Sequence, residues 1–402
     1  MSVPELAQTS YKLCAALTAA LTFVFYHRFS KDRFSDPRGR VFVLVVLCGT
    51  LVRLMIAWHG YGNYDGRSWE IIGDIASHGG NVYLETTRYN TSPVWFWTLG
   101  LLKKAHSALP ALPFGFIVRS FLTLVDLATL WVLTAIARRK GVPPLQVALL
   151  FFLNPVSFLL TGYHGQFENL ALLFLLLGVW ASPPDHPPDQ VRWGRVGWLW
   201  FFATLGLIVK HNIFYEVIAA LNASVRKKWV AVALFLASCG LFFAAFLPYW
   251  KEGGERIVQN VFLYSSYQLD YGVSTFFRAA WIKYLFIAGL FLYPLVLREK
   301  DLIKRLLLCS LFFLVFTTGF GNQYLILPVA LAALAPSRGF FVYSAVATLF
   351  LLGDQKNLGI PIFSWIPPNA VWLAAVYWFF SIHPKPAKTS GLAGLQVHPL
   401  KK

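Results

Sequence analysis

The sequence predicts an all-α protein, a polytopic transmembrane helical bundle of about 11–14 spans. Three observations carry that expectation. Hydrophobic residues make up 57% of the chain and charged residues only 13%, against about 25% charged in average soluble domains. Apolar runs of about 17–25 residues recur from end to end, and each is long enough to cross a ~30 Å hydrocarbon core as a helix. The basic residues fall in short loops between those runs, as the positive-inside rule requires. The roughly ten-residue alternating segments of a membrane β-barrel are absent from the pattern.

The spans read in order at 11–27, 41–59, 113–137, 144–162, 168–182, 196–210, 212–224, 229–249, 277–297, 305–320, 322–335, 339–354 and 370–383. The stretch 28–40 carries Arg28, Lys31, Arg33, Arg38 and Arg40, and "ARRKG", "SVRKKW" and "REKDLIKR" are similarly basic. One threading puts all of these, and the tail lysines, on the cytoplasmic face. The opposite face then receives 60–112, 163–167, 250–276, 321–323 and 355–369. Residues 1–383 read as a single integral membrane domain, and 384–402 as a disordered basic tail. The net charge of +17 thus marks membrane orientation, with membrane lipids and no nucleic acid as partners. The four cysteines lie inside apolar runs, with neither metal nor disulfide spacing.

The two largest extracytoplasmic segments, 60–112 and 250–276, interleave aromatics with charge. That is the composition of amphipathic helices lying at the interface. The first predicts one such helix over 66–77, ended by Gly79-Gly80.

Ionisable residues at the membrane edge are costly and default to functional candidates. Asp65 follows the first long span after the basic loop. It reads either as a solvated loop acid or as a general base reachable from water and from the lipid edge. Glu70 and Asp74 lie further along the same helix. Arg119 and Asp126 are seven residues apart, on one helix face but too far apart to pair, so Asp126 needs another partner. "NPVSFLLTGYHGQFENLALL" breaks its span at Asn154-Pro155 and gathers His164, Gln166, Glu168 and Asn169 at an outer hinge. "GLIVKHNIFYE" adds Lys210 and His211, cations suited to a phosphate. "TTGFGNQYLILP" places Gln323 and Tyr324 in a further hinge. No P-loop, dinucleotide-binding glycine pattern, HExxH or GxSxG is present. No cytoplasmic loop is long enough for a nucleotide-binding domain, so an activated substrate would arrive as a lipid-linked donor.

Taken in order, "YDGRSW", "YNTSPVWFW", "VRSFLTLVDL", "NP…GYHGQFEN", "LIVKHN" and "GFGNQYLILP" resemble the GT-C superfamily of polyprenyl-phosphate-sugar-dependent glycosyltransferases. That superfamily includes the lumenal glucosyltransferases and mannosyltransferases that use dolichyl-phosphate sugars, and bacterial relatives. The resemblance covers most of the chain as spaced features. It implies a hexosyltransferase that moves mannose or glucose, with inversion, from a polyprenyl-phosphate donor to a glycan or lipid-linked acceptor. The chemistry would face the periplasm or lumen, in a bacterial inner membrane or the ER. Asp65 would be the catalytic base, with Glu70 in reserve. Lys210, His211 and Arg278 would hold the donor phosphate. Arg67, Glu70, His164, Gln166, Glu168, Gln323 and Tyr324 would hold sugar or acceptor. Segment 250–276, with Tyr264, Tyr267 and Tyr271, would flank the lipid's path. No cofactor is implied; a divalent metal is compatible but not demanded. The chain departs from the family in two ways. Gly66-Arg67-Ser68-Trp69 follows the acid where many members have a Tyr at the last position, and a span precedes the usual first one. A transporter or flippase is the alternative, but it would place polar groups near the midplane in repeated halves.

Overall fold

In the computed structural model, the structure describes residues 39–60, 63–182, 192–264, 271–277, 281–354 and 358–384. The 11–27 span, Arg278, Tyr267 and nearly all of the basic tail lie outside the described residues. The described residues are helical throughout, joined by short turns.

Helix α1 (Gly39–His59) shows why the bundle suits a membrane. It buries Val45, Arg53 and Ile56, and exposes Leu44, Leu47, Leu51, Met55 and Trp58. The exposed positions recur at helical spacing, so its apolar stripe faces outward and a charge faces inward, the reverse of a water-soluble helix. Helices α2 (Tyr64–Ser77), α3 (Val82–Glu85) and α4 (Pro93–Ala108) follow on one side. The amphipathic helix expected over 66–77 is α2, and Gly79 past its end has φ +79°, a left-handed turn that glycine adopts without strain.

Helix α5 (Phe114–Arg139, 26 residues) rises about 39 Å at 1.5 Å per residue. Next come two halves, Pro144–Phe152 and Pro155–His164, bent by 51°. Asn154 caps the second half through a 3.0 Å bond from the Val156 N–H, and Pro155 cannot continue the hydrogen-bond ladder of the first. Helices α6 (Glu168–Ala181) and α7 (Trp193–Val209) run antiparallel in close contact. A Cβ on Gly206 would stand 2.7 Å from the Ala171 carbonyl, and one on Gly178 3.1 Å from that of Leu199. Small residues let two backbones approach so closely.

Helices α8 (Phe214–Ser224) and α9 (Lys228–Ala244) follow, and α9 turns by 88° into α10 (Leu247–Ile257) and a π-helical turn ending at Phe262. The sequence predicts an amphipathic helix within 250–276, and this helix begins a few residues before that segment. The rest of the bundle is α11 (Trp281–Val296), α12 (Leu302–Phe316), α13 (Leu327–Ala332), α14 (Arg338–Gly353) and α15 (Pro368–Ile382).

Span length is where the structure departs from the sequence reading. Among the described residues, two helical stretches are long and apolar enough to cross a membrane, Val41–His59 and Phe114–Arg139, and up to four if each bent pair is one span. Glu168–Ala181, Trp193–Val209, Trp281–Val296, Asn322–Ala332, Arg338–Gly353 and Pro368–Ile382 are apolar but shorter. Fourteen helical residues rise only about 21 Å, so an apolar run in the sequence is not by itself a full crossing. Polar hinges such as "HGQFEN" end these helices early.

Candidate functional site

Asn63 caps α2, its side-chain oxygen accepting from the N–H groups of Asp65 (3.1 Å) and Gly66 (3.2 Å). The cap fixes Asp65 in the first turn, where a carboxylate is favoured by the helix dipole. Trp69, one turn on, donates from Nε1 to the Gly165 carbonyl at 3.0 Å. Its ring meets Trp95 and Phe167 edge-on at 5.8 Å, and those two stack at 4.3 Å. This aromatic trio joins α2 and α4 to the hinge between Pro155–His164 and α6.

The hinge itself is built by a π-helical turn, Leu159–His164, ended by Gly165 at φ +70°. A π turn adds a residue per turn, and the left-handed glycine reverses the chain so that His164 and Gln166 face α2. Gln166 Nε2 donates to Asp65 Oδ2 at 2.7 Å and lies 2.6 Å from His164 Nδ1. His164 Nδ1 stands 3.6 Å from the same carboxylate oxygen. Both hinge side chains are buried, whereas the Asp65 side chain is 36% exposed. The carboxylate is thus held from behind and open in front.

Around this opening lie groups from distant segments. Tyr264 lies near Asn90, and burial followed by the nearby Asp65 charge pushes the Tyr264 phenol pKa up, keeping it a donor. Arg88 donates to Ser68 Oγ at 3.3 Å and lies over the Tyr64 ring at 4.4 Å. Among the described residues no carboxylate pairs with Arg88 within 4.0 Å. On the far side, His164 also feels Asp354, which accepts from Asn322 Nδ2 at 2.6 Å. Gln323 folds back over Gly321, its amide 2.5 Å from where a Cβ would stand. Tyr324 packs edge-on against Phe313 at 5.0 Å, within electrostatic reach of Glu168 and Tyr264.

The residues read as a phosphate site have other commitments. Lys210 Nζ is hydrogen-bonded to Glu168 Oε1, and both are buried. A carboxylate buried at the start of α6 needs a counter-charge, and Lys210 supplies it while lying 4.1 Å over the Phe167 ring. His211 packs 5.9 Å from the Phe242 ring with its Nδ1 buried and unpartnered. A second cation beside Lys210 would be disfavoured there, so the two do not form the cationic pair expected from "VKHN". Arg67 and Glu70 lie on the other side of α2 from the hinge, in a separate cavity.

The deep Asp126 finds its partner in Arg53, which the sequence reading passed over inside the apolar run of α1. Arg53 Nε meets Asp126 Oδ2 at 3.0 Å with both side chains fully buried. Asn169 bonds Asp126 Oδ1 at 2.5 Å, and Arg53 Nη2 donates to Ser157 Oγ at 2.8 Å. Asn169 therefore leaves the hinge set and locks α1, α5 and α6 together. Arg119 bonds the terminal carbonyl of α1 at Gly60, at 2.6 Å. Arg88 stands out in the sequence as an ionisable residue of the outer segment 60–112; the signal for Asn90 is only its place in that segment, and for Asn322 and Asp354 only their place at the edges of apolar runs.

Comparison of the chain with protein-family models, with curated proteins and with solved structures finds no match.

Proposed function

We propose that this chain is a multi-pass membrane glycosyltransferase of the GT-C kind, which moves a hexose from a polyprenyl-phosphate donor to an acceptor hydroxyl. The observation that carries the reading is the half-exposed Asp65 carboxylate, oriented by Gln166 at 2.7 Å and backed by His164 at 3.6 Å. A general base needs one oxygen held and the other free to meet a hydroxyl. In the proposed step the acceptor O–H proton passes to Asp65. The acceptor oxygen bonds the anomeric carbon, and the carbon–oxygen bond to phosphate breaks with its electron pair leaving on phosphate. The transition state is oxocarbenium-like, as in glycoside hydrolysis, and inversion follows from attack opposite the leaving group. Arg88, with no carboxylate partner among the described residues, is the nearest fit to the phosphate's charge. Lys210 contributes only if its bond to Glu168 opens.

The test uses purified, full-length protein with radiolabelled polyprenyl-phosphate-mannose or polyprenyl-phosphate-glucose and a panel of glycan and lipid acceptors. Transfer by wild type, lost by 10²-fold or more in Asp65→Asn with the fold intact, is the expected result. Transfer that survives the substitution removes Asp65 as the base. Absence of transfer from either donor, with uptake of a solute into liposomes, replaces the reading with a transporter.

A further inference from the structure

A cavity of about 930 Å³ lies between the outer ends of α1 and α5, with α2 and α4 across it. It lies on the face of α2 opposite the hinge and does not include Asp65. Arg67, Glu70 and Asp74 reach it at positions i, i+3 and i+7, one helix face. Lys103 of α4 enters from the other side and pairs with Asp74 at 3.7 Å. Arg67 and Glu70 make no side-chain hydrogen bond and no ion pair among the described residues. Arg119 also lines the cavity, its Nη1 donating to the Ala57 and Gly60 carbonyls. Beside these groups the cavity offers Arg67 and Glu70, a cation and a carboxylate a turn apart that make no such bond.

Two further observations narrow the ligand. His59 and the Trp58 indole N–H apart, no lining side chain is a neutral hydrogen-bonding group: there is no Asn, Gln, Ser, Thr or Tyr. Such a lining suits a charged ligand better than a polyhydroxylated one. The floor is aromatic, Trp58 against Phe116 edge-on at 5.1 Å. Trp58 is also the last member of the outward apolar stripe of α1, after Leu47, Leu51 and Met55. A ligand with its head in the cavity could lay acyl chains down that stripe.

We propose that this cavity binds the phosphoethanolamine headgroup of a membrane phospholipid. Arg67 takes the phosphate and Glu70 takes the ammonium. Asp74 is paired with Lys103, so Glu70 is the lining carboxylate left to meet a cationic group, which a purely anionic head lacks. A primary ammonium gives Glu70 three N–H donors, which a quaternary one lacks. The assignment stands apart from the glycosyl-transfer reading.

The experiment reconstitutes the full chain in nanodiscs of equal phosphatidylethanolamine, phosphatidylcholine and phosphatidylglycerol, then identifies retained lipids by native mass spectrometry. Wild type should retain phosphatidylethanolamine about fivefold to tenfold over the other two, the size of one or two partly exposed charge-assisted contacts. Arg67→Glu and Glu70→Lys should each return retention to the bulk ratio. Arg67→Gln and Glu70→Gln stand in if either charge reversal loses its monodisperse form. Equal retention of all three lipids by wild type, or enrichment unchanged in the variants, overturns the proposal. Soluble glycerophosphoethanolamine at millimolar concentration separates the sources. Displacement of the lipid shows that the head suffices; failure to displace shows that the acyl chains on the α1 stripe contribute. Both require the headgroup selectivity already stated.

Discussion

Replacing Asp126 by Leu removes the only carboxylate that pairs with Arg53 among the described residues. Both side chains are fully buried, so the guanidinium is left without its counter-charge. Breaking a buried pair from one side costs about 3–5 kcal/mol. Arg53 keeps acceptors at the Phe152 carbonyl and at Ser157 Oγ, which soften the loss, so the expectation is about 3 kcal/mol. That is roughly a 150-fold fall in the folded-to-unfolded ratio. The assay is reversible unfolding in mixed micelles, with denaturing detergent as titrant and tryptophan fluorescence as the signal. The companion double variant, Arg53→Met with Asp126→Leu, replaces the pair by apolar groups. It should lie within about 1 kcal/mol of wild type. The reasoning is refuted if Asp126→Leu costs less than about 1 kcal/mol, or if the double variant is as unstable as the single one. A pair that moves substrate would behave differently: the double variant would fold but lose function.

Three other outcomes are expected. Gly165→Ala forces a Cβ into the left-handed region at φ +70°; the nearest side-chain atom, Arg119 Cγ, is 3.8 Å away, so the cost is conformational, about 1–2 kcal/mol, and sugar transfer should fall more than stability does because Gln166 loses its aim at Asp65. Lys210→Met strands the buried Glu168 and should lower stability by several kcal/mol in the same unfolding assay, whereas Lys210→Met with Glu168→Gln should recover most of it; no recovery would mean that the two side chains do not depend on each other. At the opposite face, Lys140 pairs with Asp301, which also caps α12 by accepting from the Lys304 N–H at 3.0 Å. Burial pulls the Asp301 carboxyl pKa up, but Lys140 and the capping N–H outweigh it and hold it below the usual aspartate range. A depressed carboxyl stabilises the fold above its ordinary pKa, and that stability is lost as pH falls through the native value. The difference in midpoint between wild type and Lys140→Met should therefore be present at pH 7 and shrink below about pH 4, with a ceiling near 1 kcal/mol for so exposed a pair.

The hinge shows how much of the candidate site was legible. "HGQFEN" between two apolar runs is a conflict between polarity and position, and that conflict pointed to His164 and Gln166 without coordinates. The same logic found Asp65 and the helix that follows it. It could not sort the polar residues among themselves. Lys210 and Glu168 both looked like ligand groups, yet each is the other's counter-ion, because two buried charges 42 residues apart in sequence are brought together by the packing of α6 on α7. Arg67 and Glu70 sit only two and five residues from Asp65, yet a helix turns them to a different cavity.

The sequence by itself determined that the chain is helical and membrane-suited. Composition and run length act locally: an apolar stretch must satisfy its own backbone bonds, whatever surrounds it. It also determined that the chain breaks at Asn154-Pro155, since proline cannot continue the helix ladder. Tertiary structure alone decided which helices are long enough to cross a membrane and which charge answers which. It turned Arg53 toward Asp126 and Gln166 toward Asp65. Those pairings depend on helix rotation and on contacts between residues 73 and 101 positions apart, and no local propensity encodes them.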